Sequence, residues 1–214
     1  RIELFNVPVE RLRARLLGDG QALWLEELRA LLPAGGALYA QGQLRARDAF
    51  RQPRLQLRLS LPALPETLVR ASGKERLAAL LPQMLEAEME AQRTPTGWSI
   101  TRLDVLADSS RGLLTGSFTP GPQPQLKLSG EVARLSLDPW LEAVFAQNTS
   151  FAAPLAQLPL DLELELILRD LAFREARAEK AQLRLQLRER RLRILRFALK
   201  DLVGATLDVA GTWD

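Results

Sequence analysis

Leu160, Leu162, Leu164, Leu166 and Leu168 fall on one parity of the chain, while Asp161, Glu163, Glu165 and Arg169 fall on the other, interrupted only by Ile167. Side chains alternate between the two faces of a strand, so this stretch predicts a strand with one apolar and one wetted side. The pattern returns at Leu183, Leu185 and Leu187 against Arg184, Gln186 and Arg188. It returns again at Ala205, Leu207, Val209, Gly211 and Trp213 against Thr206, Asp208 and Thr212. Strands of this kind predict a meander whose apolar sides join into one surface. Such a surface has to be covered by protein, membrane or ligand.

Earlier in the chain two periods alternate. Residues 2–5 predict a short first strand, with Asn6 as a helix cap and Pro8 just inside the first turn. Val9, Leu12 and Leu16 are spaced for a helical face that stops at Gly18. Trp24, Leu25, Leu28, Leu31 and Leu32 predict a second helix over residues 21–32, ended by Pro33 and Gly35-Gly36. From Ala37 the period becomes two: Leu38, Ala40, Gly42, Leu44 and Ala46, then Leu55, Leu57, Leu59 and Leu61, predict a hairpin turning near Gln52-Pro53. Pro62 and Pro65 close it. Residues 74–90 predict the longest helix, through Leu77, Leu80, Leu81, Met84 and Leu85, with Pro82 a kink.

Strands resume at Trp98. Trp98 and Ile100 share one parity while Leu103 and Val105 take the other, which predicts a bulge between them. Leu114, Gly116 and Phe118, then Leu126, Leu128, Gly130 and Val132, predict a further pair across a Pro-Gly turn. The phase then switches to Leu135 and Leu137, and Asp138 caps a short helix through Trp140 and Phe145. Four segments follow from these breaks: 1–62, helices and a hairpin; 63–96, a helical insertion; 97–146, a meander with a short helix; and 158–214, a C-terminal meander. The fold class expected is α+β, mainly antiparallel β, with curved meandering sheets, a one-sided apolar face and a few peripheral helices.

Composition narrows the chemistry. The 214 residues are 47% hydrophobic and 26% charged, enough to fold around a sizeable core. The net charge is only +3, and although all but four of the 29 basic residues are arginine, they are spread along the chain. With four Trp and one Tyr to stack on bases, nucleic acid is not an expected partner. Cys and His are both absent, which excludes disulfides, thiolate chemistry, His-dependent triads and Cys/His metal sites. No apolar run reaches the length of a membrane-spanning helix. The chain begins at Arg1 without a signal-like segment, so an anchor or signal is expected outside it.

The order of elements resembles the AsmA family of inner-membrane-anchored periplasmic proteins of Gram-negative bacteria. The residues that carry the resemblance are the alternating Leu160 to Leu168, then Ala181 to Leu187, Leu192 to Phe197, and the glycine-punctuated strand with Gly204, Leu207 and Gly211. Ala205 stands where a second glycine is common, and Glu189-Arg190 where Asp-Gly is common. A second match is Gly112 to Phe118 followed by Leu135 to Leu141. What the resemblance implies is a non-enzymatic protein with no cofactor, whose apolar groove binds or conducts phospholipid in support of outer-membrane maintenance. The residues it places on the groove are Leu160, Leu162, Leu164, Leu166, Leu168, Leu183, Leu185, Leu187, Leu207, Val209, Leu126 and Leu128. Arg184, Arg188 and Arg190 are candidates for headgroup contact.

Each of these features has a plainer alternative. The leucine stripes equally suit an ordinary core, with helices packed on the sheet and sheet edges joining neighbouring segments or partner proteins. The arginines from 184 to 193 suit the solvated side of a strand. Asp161, Glu163 and Glu165 have the spacing of an acid-base pair or a hard-cation site, and equally of an exposed strand face. Ser72 beside Lys74 reads as a Ser/Lys pair or, more simply, as a helix cap. Asn148-Thr149-Ser150 is a glycosylation sequon by pattern.

Overall fold

The computed structural model describes residues 3–4, 7–19, 22–45, 53–72, 81–136, 138, 160–173, 176–189, 191–202 and 205–213. Of the described residues, 75% are strand and 6% helix, and nearly all neighbouring strands run antiparallel. The chain divides into two compact units, Arg1–Asp108 and Ser109–Asp214.

In the first unit, β1 (Glu3–Leu4) and β2 (Val7–Pro8) pair with each other. A separate meander runs β3 (Arg11–Gly18), β4 (Leu23–Leu31), β5 (Ala37–Arg45), β6 (Arg54–Leu61), β7 (Leu85–Arg93) and β8 (Trp98–Ala107). Each strand pairs antiparallel with the next. Its one α-helix among the described residues is α1 (Leu64–Ser72), which starts at the two prolines that stop β6. The Thr67 hydroxyl is buried and lies 2.9 Å from the Ala63 carbonyl and 3.1 Å from that of Pro33, tying α1 to the 3-10 turn Pro33–Gly35. Both carbonyls keep a backbone donor without it. Thr67→Val is therefore expected to cost about 1 kcal/mol, the net worth of one buried hydrogen bond, read as a lower urea midpoint at unchanged slope.

Several helices expected here are strands. The 8–18 and 21–32 segments form β3 and β4, and Pro8 sits in β2 where a first helical turn was expected. Two irregularities explain the misreading. β4 carries an extra residue between Leu25 and Leu28, so apolar positions three apart mimic a helical step although they belong to one strand face. β7 alternates cleanly as Leu85, Ala87, Met89 and Ala91 against Glu86, Glu88 and Glu90, but it is written in strong helix formers. Of the helix expected over 74–90, residues 74–80 lie outside the described residues and 85–90 are strand. Ser72 is the last residue of α1, and Lys74 lies outside the described residues. The bulge expected between Ile100 and Leu103 is present, facing the Glu90-Ala91 step of β7.

The second unit holds β9 (Ser110–Thr119), β10 (Gln125–Ala133), β11 (Asp161–Phe173), β12 (Ala176–Arg188), β13 (Arg191–Leu202) and β14 (Ala205–Trp213). All pairings are antiparallel except β10 with β11, which run parallel in unbroken register from Gln125↔Asp161 to Ala133↔Arg169. Ser136 adds one more parallel bridge, to Ala172. The short helix expected after Asp138 and the sequon at Asn148 lie outside the described residues, Asp138 itself excepted.

Candidate functional site

Cross-strand register turns the leucine stripes of the second unit into rows. One row reads Phe118, Leu126, Leu162, Leu187, Leu192, Trp213 across β9 to β14; the next reads Gly116, Leu128, Leu164, Leu185, Ile194, Gly211. A third reads Leu114, Gly130, Leu166, Leu183, Phe197, Val209, and a fourth Gly112, Val132, Leu168, Ala181, Leu199, Leu207. Directly opposed side chains lie close enough to pack, so the twelve residues expected on an apolar face, Leu160 apart, do share one face by register. Leu160 precedes β11 and packs on the cluster of Leu162, Leu185, Leu187 and Leu192.

Their exposure is uneven. Leu187 is 1% exposed and Leu168 2%, and Leu162 and Leu185 are also buried, whereas Leu126, Leu128, Leu164, Leu166 and Leu183 are half-buried. Val209, on edge strand β14, is exposed. A bulge at Leu195 keeps the rows in phase: it falls between Ile194 and Arg196, lets Phe197 and Leu199 rejoin the apolar side, and leaves Leu195 itself 40% exposed.

The opposite face is charged and paired. Glu163 lies between Lys127 (3.4 Å) and Arg184 (3.7 Å), Glu131 pairs with Arg169, and Arg196 lies 3.5 Å from Asp208. Asp161 accepts hydrogen bonds from the Gln123 amide at 2.9 Å and the Glu189 backbone N–H at 3.3 Å. Asp161 and Glu163 are thus engaged within the sheet's own wet side, where Glu165 is exposed. No metal-binding cluster occurs among the described residues. Arg184 and Arg188 are exposed on this face, and Arg190 lies outside the described residues.

The first unit builds the same two-faced pattern. Its apolar rows include Leu16, Leu25, Gly42, Leu55, Ala91, Ile100 and, beside it, Ala14, Leu28, Ala40, Leu57, Met89, Leu103. Edge strand β3 is exposed along its whole length, with Arg11, Arg13 and Arg15 alternating with Leu12, Ala14 and Leu16. Charged side chains on an edge discourage uncontrolled pairing with other strands.

The larger of two adjoining hollows in this unit was not legible in the sequence, because four of its ten lining residues come from the two segments, 8–18 and 21–32, that read as helix. It measures about 780 Å³ and has a mixed lining: Leu17 pairs with Trp24 and Trp24 with Gln43, continued by Arg54 and Gln92, while Leu25 and Gly42 of the apolar row close its floor. Gln41 and Gln56 occupy the adjacent row, the Gln41 amide N–H donating to the Gln56 carbonyl oxygen at 2.8 Å. A neighbouring hollow of about 660 Å³ shares Glu26, Gln41 and Gln56 and adds Tyr39, Glu27, Glu88, Glu90, Arg58 and Arg102. Arg58 is paired with Glu88, and a hydrogen bond to Asp104, reinforced by its charge, holds the Arg102 guanidinium above its ordinary value. The signal available in the sequence was the alternation of Gln41, Gln43, Gln56 and Gln92 among apolar residues.

The fold and these faces define a class: a meandering, largely antiparallel β-protein in which each unit carries an apolar and a polar sheet face. Compared with known proteins, the chain matches no family model, no curated protein and no solved structure.

Proposed function

We propose that the chain is a non-enzymatic, AsmA-like segment that binds or conducts phospholipid along the apolar face of its second unit. The observation that carries this reading is the four-row apolar ladder, in which Leu126, Leu128, Leu164, Leu166 and Leu183 keep part of their surface open. Each acyl methylene taken from water onto such a face is worth about 0.8 kcal/mol, so one fatty chain along a row gains several kcal/mol. Arg184 and Arg188 project from the other face of β12, so headgroup contact by them needs a lipid lying at the end or edge of the sheet. Placement in the periplasm, with inner-membrane anchorage through a segment outside this chain, rests on the family resemblance. Nucleic acid is not among the proposed partners.

The competing reading is a scaffold with a dry core that joins neighbouring segments or partners through β3 and β14. It draws support from the near-complete burial of Leu187 and Leu192. Photoreactive residues at Leu128 and Leu164 separate the two. Under the lipid reading both positions yield phospholipid adducts in cell-envelope extracts, and Ser129, on the wet face, yields none. Adducts to protein alone at Leu128 and Leu164, with the thermal transition retained, would establish the scaffold.

A further inference from the structure

We infer that the polar face of the first unit is a binding site for a neutral oligosaccharide, laid across β3 to β7 over Trp24. Three features of the hollow select that ligand class. The first is an aromatic ring offered to solvent: Trp24 is 38% exposed, on the opposite side of β4 from half-buried Leu23 and buried Leu25. An indole face stacks on the C–H face of a pyranose and leaves its N–H free for a hydroxyl.

The second is the donor and acceptor set. The side chains of Gln43, Gln92 and Arg54 line the hollow and make no hydrogen bond or ion pair to protein among the described residues. Because Gln41 donates to Gln56, the pair presents a fixed acceptor, Gln41 Oε1, beside a fixed donor, Gln56 Nε2. That pairing matches a vicinal diol, whose neighbouring hydroxyls donate and accept side by side.

The third is charge. The larger hollow carries one acid, Glu26, and one base, Arg54, and in the neighbouring hollow carboxylates outnumber guanidinium groups, which are themselves engaged. The larger hollow is thus neutral overall and the neighbouring one acidic, a balance that gives an anion no net attraction and suits an uncharged polyol. The volume lies within the roughly 300–1,000 Å³ of small-molecule clefts, and five strands at about 4.8 Å spacing span about 19 Å, room for a short oligosaccharide. This site uses a different unit and a different face from the lipid reading, so either stands without the other.

Calorimetric titration of the whole chain with cellotetraose, maltotetraose and chitotetraose, and with a heparin tetrasaccharide as the anionic counterpart, tests the assignment. At least one neutral tetrasaccharide is expected to bind in the micromolar to millimolar range. Trp24→Ala is expected to weaken it about tenfold or more, Trp24→Tyr to restore part of the loss, and Trp98→Phe to change nothing. Far-UV circular dichroism checks that the variants fold; Gln43→Ala, which removes one amide and no ring, gives an independent loss should Trp24→Ala unfold. Three outcomes overturn the proposal: no neutral tetrasaccharide binding up to millimolar concentration, affinity indifferent to both Trp24→Ala and Gln43→Ala, or tighter binding of the heparin fragment.

Discussion

Leu187→Ala is expected to destabilise the second unit by about 2–5 kcal/mol, a large share of the 5–15 kcal/mol that holds a typical domain together. Leu187 is 1% exposed and stands between buried Leu162 and Leu192 in its row. Removing the isopropyl end of its side chain deletes contacts with both neighbours and leaves a cavity that rigid paired strands close only in part. In urea the midpoint should fall by roughly 1–2 M at unchanged slope. Leu195→Ala, at the bulge on the solvent side, should stay within about 0.5 kcal/mol of the parent. A cost below about 1 kcal/mol for Leu187→Ala would mean that this row is not closed as the structure has it. Groove and scaffold readings would then both need rebuilding.

Gly130→Ala is the second substitution expected to act strongly, at about 2–5 kcal/mol. Gly130 lies in β10 with φ +156°, a conformation that side chains rarely adopt. A Cβ there would fall onto the Leu113 carbonyl oxygen and within 2.8 Å of the Leu114 Cα, so β9 and β10 would have to separate where they now pair. The loss should appear as a lower thermal midpoint. Gly121→Ala, where nothing lies within 4 Å, is the matched control and should shift stability by no more than about 0.5 kcal/mol. Equal behaviour of the two variants would show that the close approach at Gly130 is not real.

How much of this was legible in the sequence depended on how faithfully each strand kept its period. The strands from Trp98 onward except β13, and the pair β5 and β6, followed from alternation, including the bulge after Ile100, whereas Leu192 to Phe197 of β13 entered only through the family resemblance because the bulge at Leu195 breaks its parity. β4 was lost because an extra residue at Glu26-Glu27 changes a step of two into a step of three, and a single strand with one bulge then matches a helix over eight residues. β7 was lost for another reason: Leu, Glu, Ala and Met favour helix by propensity, and only pairing with β6 and β8 overrides it. The shared face of the C-terminal leucines was foreseen. Their unequal burial was not, since register and covering segments decide it. The polar hollow at Trp24 was hidden by the same bulge that hid β4.

The seam between β10 and β11 has a consequence in time. Every antiparallel neighbour in the second unit can zip up as soon as its hairpin is made, but a parallel partner must wait for the return crossover. During synthesis at 5–20 residues per second, β10 emerges and its outer edge stays bare for on the order of one to five seconds while residues 134–160 are added. For that interval the nascent chain displays the unmatched rim of Leu126, Leu128 and Val132. Until β11 exists, that open edge can pair with any other exposed strand, so the parallel seam sets a window for misassembly that the antiparallel hairpins lack.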